Sequence, residues 1–360
     1  MTQPRSHIAS MAAYALARTE VPDGKPLVSL SQNESLRGPS PKAVDAASKA
    51  ASAAALYPDP DWSGLRQALA AHHRIDAGAI LCGNGSLDLI GCLARVYASP
   101  ARAVLAPAHA YPFFKTASQM ADARFDTAPE RDARVDVNAL LSAVRPDTGL
   151  VFVANPGNPT GTRIPKADLI ALREGLRGDI LLVIDEAYGE FADHLHERCF
   201  DMVADGNTVI LRTFSKAYGL AGFRVGWGYF PAAIAAELRK VMNPNNLSGA
   251  AQAAAIAAIA DQAYMAETCR LTAKHRDRAV DLLQGAGFKT LPSFTNFILI
   301  DLHTSKAVQS VDAALRAEGI VLRPQGGAGL PQMLRMTVGP EKAMRAAIDI
   351  LTAWKKEAQF

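Results

Sequence analysis

The sequence predicts an α/β fold, a three-layer sandwich around a mainly parallel sheet with a smaller α/β domain attached. Between positions 79 and 230, short runs rich in Val, Ile and Leu recur with helical patterns between them. Strands that alternate with helices pair in parallel beneath helical layers. After Phe230 the texture changes to long Ala- and Leu-rich helical patterns, and after Phe288 short strands alternate with helices again. The length of 360 residues corresponds to two domains at about 150 residues each.

Ile8 to Ala17 follows Arg5, is mostly alanine and contains Ser10 and Tyr14, which suits an N-terminal helix or arm better than an export signal. Ala79 to Cys82, Ala103 to Ala106, Leu150 to Ala154, Ile180 to Ile184 and Thr208 to Leu211 are continuously apolar rather than alternating, the pattern of strands buried on both faces. Ser86 to Ala98, Lys166 to Leu176 and the region after Tyr111 supply helices between them. Helices follow at Pro231 to Val241, Ala250 to Ala260 and Asp261 to Gly285, with a Pro-Asn-rich break at Asn243 to Asn246 as the best hinge candidate. The last stretch gives strands at Phe297 to Asp301, Ile320 to Leu322 and Leu334 to Thr337, and helices at Lys306 to Glu318 and Glu341 to Lys356.

Hydrophobic residues at 49% and charged residues at 20% exclude disordered, collagen-like and disulfide-framework chains. The formal charge of +3 comes from 38 basic and 35 acidic residues that are scattered, which argues against a nucleic-acid partner. The most apolar stretch, Gly249 to Ala260, contains Gln252 and stops at Asp261, short of the roughly 20 residues that span a bilayer. Cys82, Cys92, Cys199 and Cys269 lie far apart with no histidine at metal-ligand spacing beside them. They read as free buried thiols in a cytoplasmic protein without a metal site.

Four motifs carry chemistry. Gly83-Asn84-Gly85-Ser86 follows a strand and opens a helix, but Asp88 stands where a dinucleotide fingerprint needs its third glycine, so what survives is an anion site at a helix N-terminus or an ordinary cap. Asn155-Pro156-Gly157-Asn158-Pro159-Thr160-Gly161 is a stiff loop at the carboxyl end of a strand, where open α/β sheets place ligands; a plain turn accounts for its prolines and glycines but not for its two asparagines. Asp185 ends an apolar strand and is either a cap or a buried carboxylate with a cationic partner. The adjoining Glu186 points to the opposite face. Lys216, flanked by small and aromatic residues, is a surface lysine or a desolvated amine suited to imine chemistry, with Arg224 downstream as a phosphate ligand.

Together with Leu334-Arg335-Met336-Thr337, these motifs occur in the order that resembles fold-type I aminotransferases dependent on pyridoxal 5′-phosphate, over positions 33 to 339. Asn33-Glu34-Ser35, Gly38-Pro39-Ser40-Pro41 and Tyr57-Pro58-Asp59-Pro60 are most similar to the histidinol-phosphate branch. The resemblance implies an aspartate-aminotransferase-like large domain. It further implies that Lys216 holds the cofactor and moves the proton between the substrate's α-carbon and the cofactor's C4′. Asp185 would pair with the pyridine nitrogen, Asn158 and Tyr188 would bond the ring's 3′ oxygen, and Ser86, Leu87, Ser215 and Arg224 would form the phosphate cup. Phe114 would stack on the ring, with Tyr111 the alternative. Tyr57 would reach the cofactor phosphate of a second subunit, implying a homodimer with shared active sites. Arg335 and Arg323 would bind the substrate's phosphate or carboxylate, with Asn33 approaching from the N-terminal segment.

The function expected from this is amino-group exchange between histidinol phosphate, or a similar small-molecule donor, and 2-oxoglutarate or another 2-oxo acid. Aromatic-amino-acid aminotransfer and threonine-phosphate decarboxylation on the same machinery are alternatives. A sensory binding module is disfavoured, because only about thirty residues precede Asn33 and no basic recognition helix is visible. Gln32, Ser35 and Arg37 depart from the family's usual residues, all near the substrate end. In domain terms, residues 1–44 are expected to form an arm and part of the small domain, 45–243 the large cofactor-binding domain and 244–360 the small domain.

Overall fold

The computed structural model describes residues 2–16 and 18–357. Its strands are β1 (Val28–Ser29), β2 (Ile80–Asn84), β3 (Ala103–Pro107), β4 (Phe125–Ala128), β5 (Glu130–Arg131), β6 (Arg134–Val135), β7 (Thr148–Ala154), β8 (Leu181–Asp185), β9 (Thr208–Thr213), β10 (Val225–Tyr229), β11 (Lys289–Thr290), β12 (Phe297–Asp301), β13 (Ile320–Val321), β14 (Arg323–Gln325) and β15 (Leu330–Thr337). Seven of them form the main sheet in the order β2-β10-β9-β8-β7-β3-β4. All its pairings are parallel except those of β10, which runs antiparallel to β2 and β9. Every residue of β3, β8 and β9 is buried, which is why these strands read as unbroken apolar runs.

The Val225–Tyr229 strand, β10, is absent from the strands expected from the sequence. Its glycines serve close packing: a Cβ on Gly226 would collide with the backbone of Gly85 and Ser86. Bare backbone there lets β10 lie directly against the start of the Ser86–Tyr97 helix.

Two separate hydrophobic cores form. The larger surrounds the main sheet; the smaller joins Ile298, Ile300, Leu334 and Met336 of the antiparallel β11-β12-β15-β14 sheet to the Ser305–Ala317 and Glu341–Glu357 helices. β1 pairs in parallel with β13, and Leu30 enters the smaller core. The N-terminal segment thus packs with the C-terminal part, as expected.

The division expected after residue 243 differs from the way the cores divide. The Gly249–Ala260 helix beyond that point buries Ala251, Ala254, Ala255, Ala258 and Ile259 in the larger core. The Asn243 to Asn246 break is no free hinge either. Asn246 accepts from Trp62 Nε1 at 2.9 Å and donates to the Cys82 carbonyl at 3.0 Å, pinning the segment to the main sheet. The crossover between cores comes in the Gln262–Gly285 helix, where Met265 packs on the first core and Ala279 and Leu283 enter the second.

Candidate active site

A cavity of about 530 Å³ opens at the carboxyl ends of β7, β8 and β9 and is closed on its far side by residues of β14 and β15. Asp185, the last residue of β8, is 3% exposed and lines it. Its Oδ1 accepts from the Ala187 N–H at 3.1 Å. Burial pushes its carboxyl up to about 7, with Glu186 adding to the rise and the Ala187 N–H opposing it. Glu186 lies on the other face and accepts from Arg212 Nε at 2.8 Å, while the Arg212 guanidinium also holds both oxygens of Asp193. The two adjoining acids therefore belong to different environments, as alternation along a strand requires.

Lys216 follows β9 and its Nζ enters the same cavity, donating to the Gln32 carbonyl at 3.2 Å. Burial lowers its pKa to about 8, helped by the charges of Arg335 and Arg224 and opposed by Glu34. A desolvated amine with two guanidiniums nearby is readily neutral and nucleophilic.

At one end of the cavity the Ser86–Tyr97 helix presents its N-terminus, where free N–H groups and the helix dipole favour an anion. Gly85, at φ 75°, opens the turn into that helix, and a side chain there would collide with the Arg224 guanidinium. Arg224 Nη1 donates to Ser215 Oγ at 3.2 Å and to the Ala221 carbonyl at 3.0 Å. Ser86, Leu87, Ser215 and Arg224 thus gather at one end of the cavity.

The opposite end is formed by Arg335 and Arg323. Arg335 is 8% exposed; it donates to Asn158 Oδ1 at 2.6 Å and to the Ser31 carbonyl at 2.8 Å, and its Nε has no partner among the described residues. Arg323 Nη2 donates to the Ala15 carbonyl at 2.8 Å. Between the ends, Tyr188 accepts at its hydroxyl from Asn33 Nδ2 at 2.8 Å.

The structure corrects three expectations about side chains. Phe114 is fully buried and stacks on Phe152 with centroids 4.6 Å apart, inside the larger core. Tyr111 lines the cavity instead, because it sits before the Pro112–Met120 helix while Phe114 lies on that helix's inward face. Asn155 does not point at the ligand side either; its amide closes its own loop through the Ile164 N–H and carbonyl. Of the departures near the substrate end, only Gln32 lines the cavity, while the Arg37 guanidinium lies 4.0 Å over the Tyr264 ring. Tyr57 is 88% exposed and lies outside the cavity of its own chain.

The cavity wall also contains Tyr14, Ala15, Leu16, Glu34 and Gln325, none singled out from sequence. Gln325 follows Arg323 on β14, whose register shifts between Pro324 and Gln325, beyond the strand expected to end at Leu322. Residues 14–16 belong to an irregular arm with no periodic signal.

Residues 25–351 match the family model described as aminotransferase class I and II. The histidinol-phosphate aminotransferase of Paramagnetospirillum magneticum is 41% identical over 344 residues, covering 93% of this chain and 94% of that one. That of Rhodospirillum rubrum is 39% identical over 356 residues, covering 98% and 96%. Among solved structures, histidinol-phosphate aminotransferase from Sinorhizobium meliloti in complex with pyridoxal-5′-phosphate superimposes with a TM-score of 0.91, at 31% identity and 99% coverage of both chains. An aspartate aminotransferase mutant from Thermus thermophilus shares the fold at 20% identity, with a TM-score of 0.85 and coverage of 98% and 100%.

Proposed function

The chain is an enzyme of the class I and II aminotransferase family, and from that premise we propose that it exchanges an amino group between histidinol phosphate and a 2-oxo acid, 2-oxoglutarate being the expected acceptor, with pyridoxal 5′-phosphate held on Lys216. The observation that carries this is one cavity containing an anion cradle, a buried carboxylate, a desolvated lysine and two arginines. The residues fit the cofactor. Asp185 is a buried carboxylate whose one hydrogen bond is the Ala187 N–H, an arrangement that a protonated ring nitrogen would complete. The helix N-terminus with Ser86, Leu87, Ser215 and Arg224 would hold the phosphate.

Once bound, the cofactor supplies an electron sink for the pair left when the donor loses its α-proton. Asp185 would keep the ring nitrogen protonated. Asn158 and Tyr188 would offer polar groups to the ring's 3′ oxygen, and Tyr111 would supply the aromatic face. Lys216, released once the donor's amine takes its place and with its lowered pKa, would accept the donor's α-proton as a neutral amine and deliver it to the cofactor's C4′. Arg335, with a buried free Nε, and Arg323 bind the phosphate of one substrate and the carboxylate of the other. Tyr57, exposed beside the equally exposed Leu56, is assigned to the cofactor phosphate of a second copy in a homodimer.

Donor half-reactions test the substrate. Protein loaded with pyridoxal 5′-phosphate is mixed in turn with histidinol phosphate, phenylalanine and threonine phosphate, and its absorbance and any carbon dioxide release are followed. Fastest conversion to the pyridoxamine form with histidinol phosphate supports the proposal. Preference for phenylalanine, or carbon dioxide release from threonine phosphate, overturns it.

A further inference from the structure

Tyr188 is held from behind by two residues far away in sequence. Asn33 donates from its main-chain N–H to Thr337 Oγ1 at 2.9 Å, and Thr337 Oγ1 lies 3.2 Å from Asn33 Oδ1. The threonine hydroxyl accepts from that main-chain N–H and donates its own proton to Asn33 Oδ1. This fixes which end of the Asn33 amide is which. Its nitrogen then faces Tyr188 and donates to the phenol oxygen at 2.8 Å. Since the phenol accepts there, its proton is left to point into the cavity.

The three side chains are almost wholly inaccessible, at 4% for Thr337, 1% for Asn33 and 3% for Tyr188. The ring of Tyr188 is wedged edge-on against Phe297, with centroids 5.3 Å apart. Phe297 in turn is the cross-strand partner of Thr337. Asn296 Nδ2 holds the carbonyls of Asn33 and Glu34, each at 3.0 Å, so the loop bearing Asn33 is also fixed. Thr337 lies two residues from Arg335 on β15, which places both on the same strand face.

We propose that Thr337 and Asn33 are positioning residues that orient the Tyr188 hydroxyl as a hydrogen-bond donor into the cavity. They thereby link the strand that carries Arg335 to the polar group facing the cofactor's 3′ oxygen. This rests on the cofactor assignment above. Without the threonine hydroxyl the Asn33 amide can turn over, its oxygen takes the phenol proton, and the donor into the cavity is lost.

The test is a pH titration of the absorbance of cofactor-loaded protein, comparing wild type with Thr337→Val, Thr337→Ser and Asn33→Asp. A donor on the 3′ oxygen favours the deprotonated chromophore, so Thr337→Val should titrate higher by about one pH unit. Thr337→Ser, which retains the hydroxyl, should follow wild type. In a Tyr188→Phe background, Thr337→Val should produce no further shift. The charged and titratable groups facing Tyr188 include Arg335, Asp185, Tyr14, Tyr111 and Lys216, whose Nζ is 5.9 Å from the ring centroid; none is altered in the threonine variants. If Thr337→Val fails to fold, Asn33→Asp, which lacks the amide donor, should show the same upward shift. An unshifted titration in the variants that fold, or an equal shift in the Tyr188→Phe background, overturns the proposal. A wild-type protein that never takes up the cofactor overturns the cofactor assignment and this inference together, whereas a wild type that titrates beside an unshifted Thr337→Val overturns this inference alone.

Discussion

Arg335 on β15 donates to Asn158 Oδ1 at 2.6 Å, although Asn158 lies on the loop after β7 in the other sheet. This contact joins the antiparallel sheet to a loop of the main sheet. The same guanidinium leaves its Nε without a partner among the described residues, so the residue bridges the two sheets and keeps a donor for the proposed substrate.

Arg335→Lys keeps the charge but loses the planar fork that can grip Asn158 and an anion at once. Replacing a charge-assisted hydrogen bond of this kind is worth about 1.5–3 kcal/mol. The expected outcome is a fall of about 10- to 100-fold in kcat/KM for both the phosphate-bearing donor and the 2-oxo acid, measured by steady-state kinetics, with cofactor content unchanged.

Asp185 is raised from 3.8 to about 7 by burial. Between those values the unfolded chain has already lost the proton that the folded protein keeps, so stability of the cofactor-free protein falls as pH rises through that interval. Asp185→Asn removes the penalty. Cofactor-free Asp185→Asn should melt at a higher temperature than wild type at pH 8, by a margin worth up to about 4 kcal/mol, and the difference should vanish near pH 4. The same variant should lose aminotransfer. Equal melting temperatures at pH 8 would contradict the buried, unpaired state of this carboxylate.

Lys216 has the opposite sign. Its folded value of about 8 lies below the ordinary 10.5, so the folded state releases its proton first, and cofactor-free stability gains as pH rises from about 8 toward that ordinary value. Lys216→Met should flatten this part of the stability profile, measured by denaturant unfolding across the pH series.

Phe114 and Tyr111 separate cleanly. Phe114→Ala should cost about 3–5 kcal/mol of stability, because the ring is fully buried against Phe152. Tyr111→Ala should cost far less stability and should weaken cofactor retention, read by dialysis and absorbance.

Gly226→Ala should distort the proposed phosphate cradle without replacing any of its proposed ligands. The new methyl would meet the backbone at Gly85 and Ser86, displacing the helix N-terminus. A drop in cofactor affinity of about tenfold or more is expected, with the purified variant losing cofactor on dilution.

What could be read from sequence follows from what burial does to residue choice. β3, β7, β8 and β9 lie under helices on both faces, so their apolar runs and approximate limits were plain. β10 escaped notice because Gly226 and Gly228 interrupt its pattern. The Gly249–Ala260 helix is apolar nearly all round, and periodicity cannot then say which neighbour it packs against. The ordered motifs around Lys216, Asp185 and Arg224 were legible because each sits at a strand end or in a short loop with its own local signature, and Arg335 because its strand follows them in the expected order. Phe114 was preferred over Tyr111 because spacing alone does not show where the Pro112–Met120 helix begins. The bond from Asn33 to Thr337 spans a sequence separation of 304, and no local pattern announces it.

The most direct test of the cofactor assignment is where the cofactor attaches. Protein incubated with pyridoxal 5′-phosphate, reduced with borohydride and digested should yield one peptide carrying the added pyridoxyl mass, with fragmentation placing it on Lys216. Modification of another lysine in place of Lys216, or no modification at all, would contradict it.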